Sequence, residues 1–99
     1  MAHLARIRGI FVVAALALPA CAGAPVQEMS NARQASRAAR NAGAEKTAPQ
    51  KLNEAEALLN RAEDSLERRA YREARRNAIA ARDKAAEALG AAQPGSNTG

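Results

Sequence analysis

Two apolar stripes at helical spacing, both rich in alanine, constrain the fold of this chain more than any other feature. Leu52, Ala55, Leu59, Ala62 and Leu66 follow one another at intervals of three, four, three and four residues, which puts all five on one face of an α-helix. Tyr71, Ala74, Ala78, Ala81, Ala85, Ala88 and Ala92 keep the same kind of spacing. The two stripes do not share a phase, since extending the first past Leu66 would put Arg69 and Glu73 on the apolar face. The mismatch predicts a turn around Glu67 to Ala70, with the Leu stripe of one helix packed on the Ala stripe of the next. One long helix in a coiled coil with other copies is the alternative, because Glu67-Arg68-Arg69-Ala70 contains no Gly or Pro to force a turn.

An earlier helix is predicted from about Val26 to Ala42, ending at Gly43, a residue suited to a helix C-cap. The next helix is expected to start near Thr47, where Thr47-Ala48-Pro49-Gln50 fits a capping box with Pro in the first turn. Ala, Arg, Glu and Leu dominate these stretches and lose little side-chain freedom in a helix. No strand period is visible. The expected fold class is all-α, a small three-helix or helical-hairpin bundle of coiled-coil character over residues 26–90. Gly, Pro and polar residues from Gly90 onward read as a disordered tail, assigned to 91–99. The large apolar side chains are few after residue 25: five Leu, with Val26, Met29, Tyr71 and Ile79. So thin a core barely offsets the entropy of ordering three helices. It implies a marginally stable bundle that self-association into a homo-oligomer would complete.

The first 20 residues read as a targeting segment and stand outside the fold. Arg6 and Arg8 precede the unbroken apolar run Ile10 to Leu18, and Leu18-Pro19-Ala20-Cys21 follows. This tetrapeptide resembles the lipobox of bacterial lipoproteins. The resemblance implies diacylglyceryl transfer to the Cys21 sulfur, signal cleavage between Ala20 and Cys21, and acylation of the new amino group. Residues 21–25 would then be a lipidated tether. Cys21 is the only cysteine, so it cannot form an internal disulfide. One acyl chain gives reversible membrane attachment, whereas two or three hold essentially permanently. Ala22 is not the Asp that commonly retains lipoproteins in the inner membrane, so the family rule points to the outer membrane, facing the periplasm. Two alternatives stand beside lipidation. One is an ordinary secretory signal cut after Ala22 or Ala24. The other is a retained anchor, for which the apolar stretch falls short of the roughly 20 residues a transmembrane helix needs.

Removal of residues 1–20 takes Arg6 and Arg8 from the 15 basic residues and none of the 10 acidic ones, leaving 13 against 10, a net +3. That balance is no strong sign of nucleic-acid binding. The removal also takes the only His, His3, and leaves Ser30, Ser36, Ser65 and Ser96 without an imidazole partner. No phosphate loop or metal-ligand cluster is present, so no catalytic residue, metal or cofactor is expected. Glu54, Glu56, Glu63, Asp64 and Glu67 read as a solvated face. The charge feature with most content is Arg68, Arg69, Arg72, Arg75 and Arg76, five arginines within nine residues. They form either a soluble face interleaved with Glu67 and Glu73 or an anion-binding patch at the hairpin tip, for peptidoglycan carboxylates, lipid phosphates or an acidic protein. Tyr71 is expected to pack at the head of the Ala stripe.

Residues 26–90 resemble short envelope proteins grouped as domain of unknown function 4398. The resemblance rests on Ala42-Gly43-Ala44, on Ala48-Pro49-Gln50-Lys51-Leu52, on Ala55, Leu58, Ala62 and Leu66, and on Tyr71, Ala74, Ala78, Ala81 and Ala85. The family's Gly-Asp-Tyr-like turn corresponds here to Arg69-Ala70-Tyr71, which keeps the Tyr and loses the Gly. Members are commonly lipoproteins, sometimes joined to peptidoglycan-binding domains, and no biochemical activity comes with the resemblance. The expected function is that of a membrane-anchored periplasmic structural or adaptor lipoprotein contacting envelope proteins or peptidoglycan, with the anion-binding module as the alternative.

Overall fold

The computed structural model describes residues 23–93. The expected signal segment 1–20 with Ala20, the expected lipidation residue Cys21 with Ala22, and the residues after 93 lie outside the described residues. The described residues form four helices: α1 (Val26–Asn41), α2 (Ala44–Thr47), α3 (Pro49–Glu67) and α4 (Tyr71–Ala92). There is no strand among the described residues. The long helices are the three predicted ones, and the chain turns between α3 and α4 instead of continuing as one helix.

α4 packs along both α3 and α1, while α1 and α3 touch each other far less. The reason lies in the side chains of its seam. Ala74, Ala78, Ala81, Ala85 and Ala88 are completely buried. Small side chains let two neighbours lie close to one helix, where a row of Leu would hold them apart. α1 runs parallel to α4, with Met29 and Ala32 beside Ala78 and Ala81, and Ala39 beside Ala88. α3 runs antiparallel to both, bringing Ala62 to the first cluster and Leu52 to the second. Leu58, Leu59 and Leu66 pack half-buried against the first cluster, and Leu89 and Ala92 against the second. The core is as thin as the sequence implies: Met29 and Leu52 are the largest fully buried side chains. The buried stripe of α3 is Leu52, Ala55, Ala62 and Ser65, so its last member is Ser65 and Leu66 lies at the margin. Tyr71 is half-buried at the head of α4.

Both chain reversals at the helix ends use a left-handed residue. At the end of α1, Ala42 N–H donates to Ala38 O and Gly43 N–H to Arg40 O, each at 3.0 Å. Gly43 has φ 91°, a region open to glycine because it lacks a Cβ. At the end of α3, Ala70 N–H donates to Ser65 O at 2.9 Å and Arg69 N–H to Leu66 O at 3.0 Å. Those are the two bonds of a Schellman motif, and its left-handed position is held by Arg69 at φ 62°. The loss of the family's Gly therefore leaves the turn intact and shifts its cost onto an arginine backbone.

Three local expectations need correction. Thr47 does not cap α3: it is the last residue of α2, and its hydroxyl donates to Gly43 O at 3.2 Å. Ala48 takes the cap position without a side-chain bond, and Pro49 opens α3 as the sequence indicates. The single turn α2 was not foreseen; it exists because Gly43 O accepts the N–H groups of Lys46 and Thr47, and it buries Ala44. Gly90 is helical, and α4 continues to Ala92, two residues past the boundary expected at 90.

The seam and the two left-handed turn residues predict the effects of three substitutions. Ala81→Leu should cost about 1–3 kcal/mol by forcing the seam apart, a loss readable as a lower midpoint in urea unfolding followed by circular dichroism. Gly43→Ala should destabilise by about 1 kcal/mol, all of it backbone cost, since an added Cβ there meets nothing within 4 Å. Arg69→Gly should stabilise by a similar amount, about 1 kcal/mol. Thermal melts of the two variants should therefore move in opposite directions, and parallel shifts would refute the assignment.

Candidate functional site

The five arginines of the α3–α4 turn differ in how they are paired. Arg68 is bound into the turn: its guanidinium meets Asp64 at 3.1 Å and Glu73 at 3.0 Å. Ser65, 1% exposed, donates its hydroxyl proton to the same Glu73 oxygen at 2.6 Å. These residues form a clasp that ties the last turn of α3 to the first turn of α4. Arg75 points the other way, toward α1. It lies 3.5 Å from Glu28 and donates to the Gly23 carbonyl at 3.4 Å. The remaining three, Arg69, Arg72 and Arg76, are exposed and form no salt bridge among the described residues. Arg76 lines a cleft of about 340 Å³ with Arg61 and Asn77 above the clasp.

Because α1 and α4 are parallel, this end of the bundle also holds the beginning of the described chain. Pro25 is fully buried, Val26 N–H donates to Ala24 O at 2.8 Å, and Met29 N–H donates to Pro25 O at 3.0 Å. The segment expected to be a loose tether is thus built into the fold from Gly23 onward.

A second feature runs along the opposite face from α4, where α1 and α3 diverge. A groove of about 360 Å³ is lined by Arg33, Arg37, Arg40, Glu56, Leu59 and Glu63, with Ser36 beneath. Arg33 meets Glu63 at 3.3 Å, and Arg40 bridges to Glu56 and also to Glu45. Glu56 and Glu45 together raise the Arg40 pKa, the Glu56 hydrogen bond contributing most. Of the acids read as a solvated face, Glu54, Glu56 and Glu63 thus pair across helices, Glu54 with Lys84 at 3.9 Å. Each such exposed pair contributes roughly 0–1 kcal/mol. Arg33–Glu63 and Arg40–Glu56 link α1 to α3, and Lys84–Glu54 links α4 to α3. The Ser36 hydroxyl is buried without a hydrogen-bond partner.

The clasp is the part of the site the sequence reading missed. Its signal was present: Ser65 lies three residues after Ala62, on the buried phase of α3, where a polar residue needs a partner. Among the described residues no group of His, Cys, Asp and Glu could hold a metal ion, and no helix is long and apolar enough to cross a membrane.

The architecture is that of an all-α bundle of three long helices around an alanine seam. The family comparison adds a membership: the chain belongs to the family described as domain of unknown function (DUF4398), whose sequence profile matches residues 27–96. Neither the curated proteins nor the solved structures compared with it gave a match.

The hydrogen bond from Ser65, followed by that from Arg68, holds the Glu73 carboxyl below the usual carboxylate range. A carboxylate with a lowered folded-state pKa stabilises the fold above its unfolded pKa, and that contribution is lost as pH falls through the folded value. Glu73→Gln should therefore lower Tm at about pH 7, and the gap to wild type should narrow as pH falls through the folded-state pKa of Glu73. Melting curves across that range check it, and a gap that widened on acidification would contradict the clasp.

Proposed function

We propose that this protein is a lipid-anchored module of the bacterial cell envelope, held by Cys21 and acting without catalysis as a structural or adaptor element toward envelope proteins or peptidoglycan. The observation that carries the reading is the way the fold begins. Gly23 and Ala24 already serve it as hydrogen-bond acceptors, and Pro25 is fully buried. A signal cut after Ala24 would remove both acceptors and leave a charged amino terminus on the buried Pro25, which is costly. Cleavage before Cys21 keeps all three residues, as a cut after Ala22 also would, and leaves the thiol two residues from Gly23. The lipobox Leu18-Pro19-Ala20-Cys21 supports the same cut, and Ala22 in place of Asp supports the outer membrane, facing the periplasm.

The non-catalytic reading draws on the side chains available. With the signal removed the chain carries no His, and Ser36 and Ser65 are buried within the bundle. The α1–α3 groove, with Arg37 exposed at its rim, offers a surface for an acidic partner segment or for glycan carboxylates. The contact is then one of helical faces, with the lipid fixing position.

Metabolic labelling with a palmitate analogue is the test. Wild type should carry the label and fractionate with membranes, and Cys21→Ser should lose both. Equal label in the two would overturn the assignment. Cross-linking in cells through the α1–α3 groove should identify an envelope protein or peptidoglycan as the contact.

A further inference from the structure

The geometry points to the arginine end of the bundle as a face that lies against anionic phospholipid, with Arg69, Arg72 and Arg76 as its phosphate contacts. This rests on the lipid-anchor reading of Cys21 and adds what the protein does with the surface to which it is anchored. Three observations converge on it. The first is reach. Cys21 precedes Gly23 by two residues, so its Cα lies within about 7.6 Å of the Gly23 Cα, two trans peptide steps of 3.8 Å each. Gly23 O is itself 3.4 Å from the Arg75 guanidinium. A lipid on Cys21 therefore enters the bilayer beside the arginine end, and no long linker exists to carry the bundle away.

The second observation is the division of charge. Of the acids at this end, Glu28, Asp64 and Glu73 are each ion-paired to Arg75 or Arg68. Arg69, Arg72 and Arg76 are exposed and outside those salt bridges, although Arg76 also acts on the Glu73 carboxylate, and Glu67 is the acid at this end left outside the pairs. Arginine suits phosphate, since its planar fork donates two parallel hydrogen bonds. The third observation is helix polarity. α1 and α4 both begin at this end, and neither Pro25 nor Ala70 provides a side-chain cap. The negative C-terminal end of α3 lies there too, so the helix ends leave about one net positive end to add to the arginines. A lipid chain joined to a basic patch makes a two-signal attachment, and the patch acts only within about a Debye length of the surface. The short tether keeps it inside that distance.

The test uses the lipidated full chain reconstituted into vesicles. Cys21 is consumed by lipid, so an introduced cysteine is the only free thiol. A fluorophore is placed at the tip through Glu67→Cys, or at the far end through Gln50→Cys. Vesicles are phosphatidylcholine alone or with phosphatidylglycerol, each carrying a headgroup quencher. Tip quenching should rise on the order of twofold with phosphatidylglycerol and fall back in 0.5 M salt, while the far label stays unchanged. Arg69→Glu/Arg72→Glu/Arg76→Glu should abolish the rise with its circular dichroism intact. Salt reversal in the wild type makes the same test without a variant. Tip quenching that ignores phosphatidylglycerol and salt in protein that floats with vesicles overturns the face and leaves the anchor standing. Protein that neither carries lipid nor floats overturns the anchor reading, and the face with it. Unchanged quenching in a triple variant that loses peptidoglycan co-sedimentation overturns the proposal in favour of glycan carboxylates.

Discussion

Everything in this fold depends on the close approach that alanine permits along one side of α4. Five consecutive seam positions, Ala74, Ala78, Ala81, Ala85 and Ala88, are sealed between two other helices. An alanine contributes little hydrophobic free energy by itself, about one methyl group's worth. The stabilisation comes instead from the number of contacts made when backbones lie close, each small and collectively large. Such a seam tolerates little variation in side-chain size. It also leaves the few large apolar side chains, Met29 and Leu52 foremost, to fix the register of α1 and α3 upon it.

A core made this way leaves the periphery to decide orientation. Ion pairs hold α1 to α3, α3 to α4 and α4 to α1, each spanning a boundary between helices whose seam holds few large residues. Singly they are weak. Their placement still matters, because alanine seams offer few distinctive knobs to exclude a neighbouring register. Ser65 and Glu73 do similar work at the turn, where the aligned hairpin brings a carboxylate acceptor to a buried hydroxyl.

Much of this architecture was legible in the sequence, for reasons that can be named. The stripes of α3 and α4 are long and periodic, and their phase mismatch located the turn without any Gly or Pro. Gly43 and Pro49 marked a stop and a start because each has a strong local conformational preference. What escaped was set by contacts distant in sequence or by competition for a single atom. Thr47 could cap α3 or bond back to Gly43 O, and the α2 turn decided between them. Whether the arginine cluster was one patch depended on which face each side chain occupies. Arg75 left it for Glu28, 47 positions earlier, and Arg68 was taken by the clasp. Membership of the DUF4398 family agrees with the resemblance carried by the alanine pattern and Tyr71.

The parallel run of α1 and α4 has a consequence for height. Gly23 and Gln93, the limits of the described chain, stand at opposite ends of the bundle. The separation is set by the 22 residues of α4, roughly 33 Å at 1.5 Å per residue. A surface that holds the protein at Gly23 therefore meets whatever follows Gln93 at the top of a pillar of fixed length. Helices resist compression far better than coil does. The bundle thus sets a fixed distance between its foot and its head.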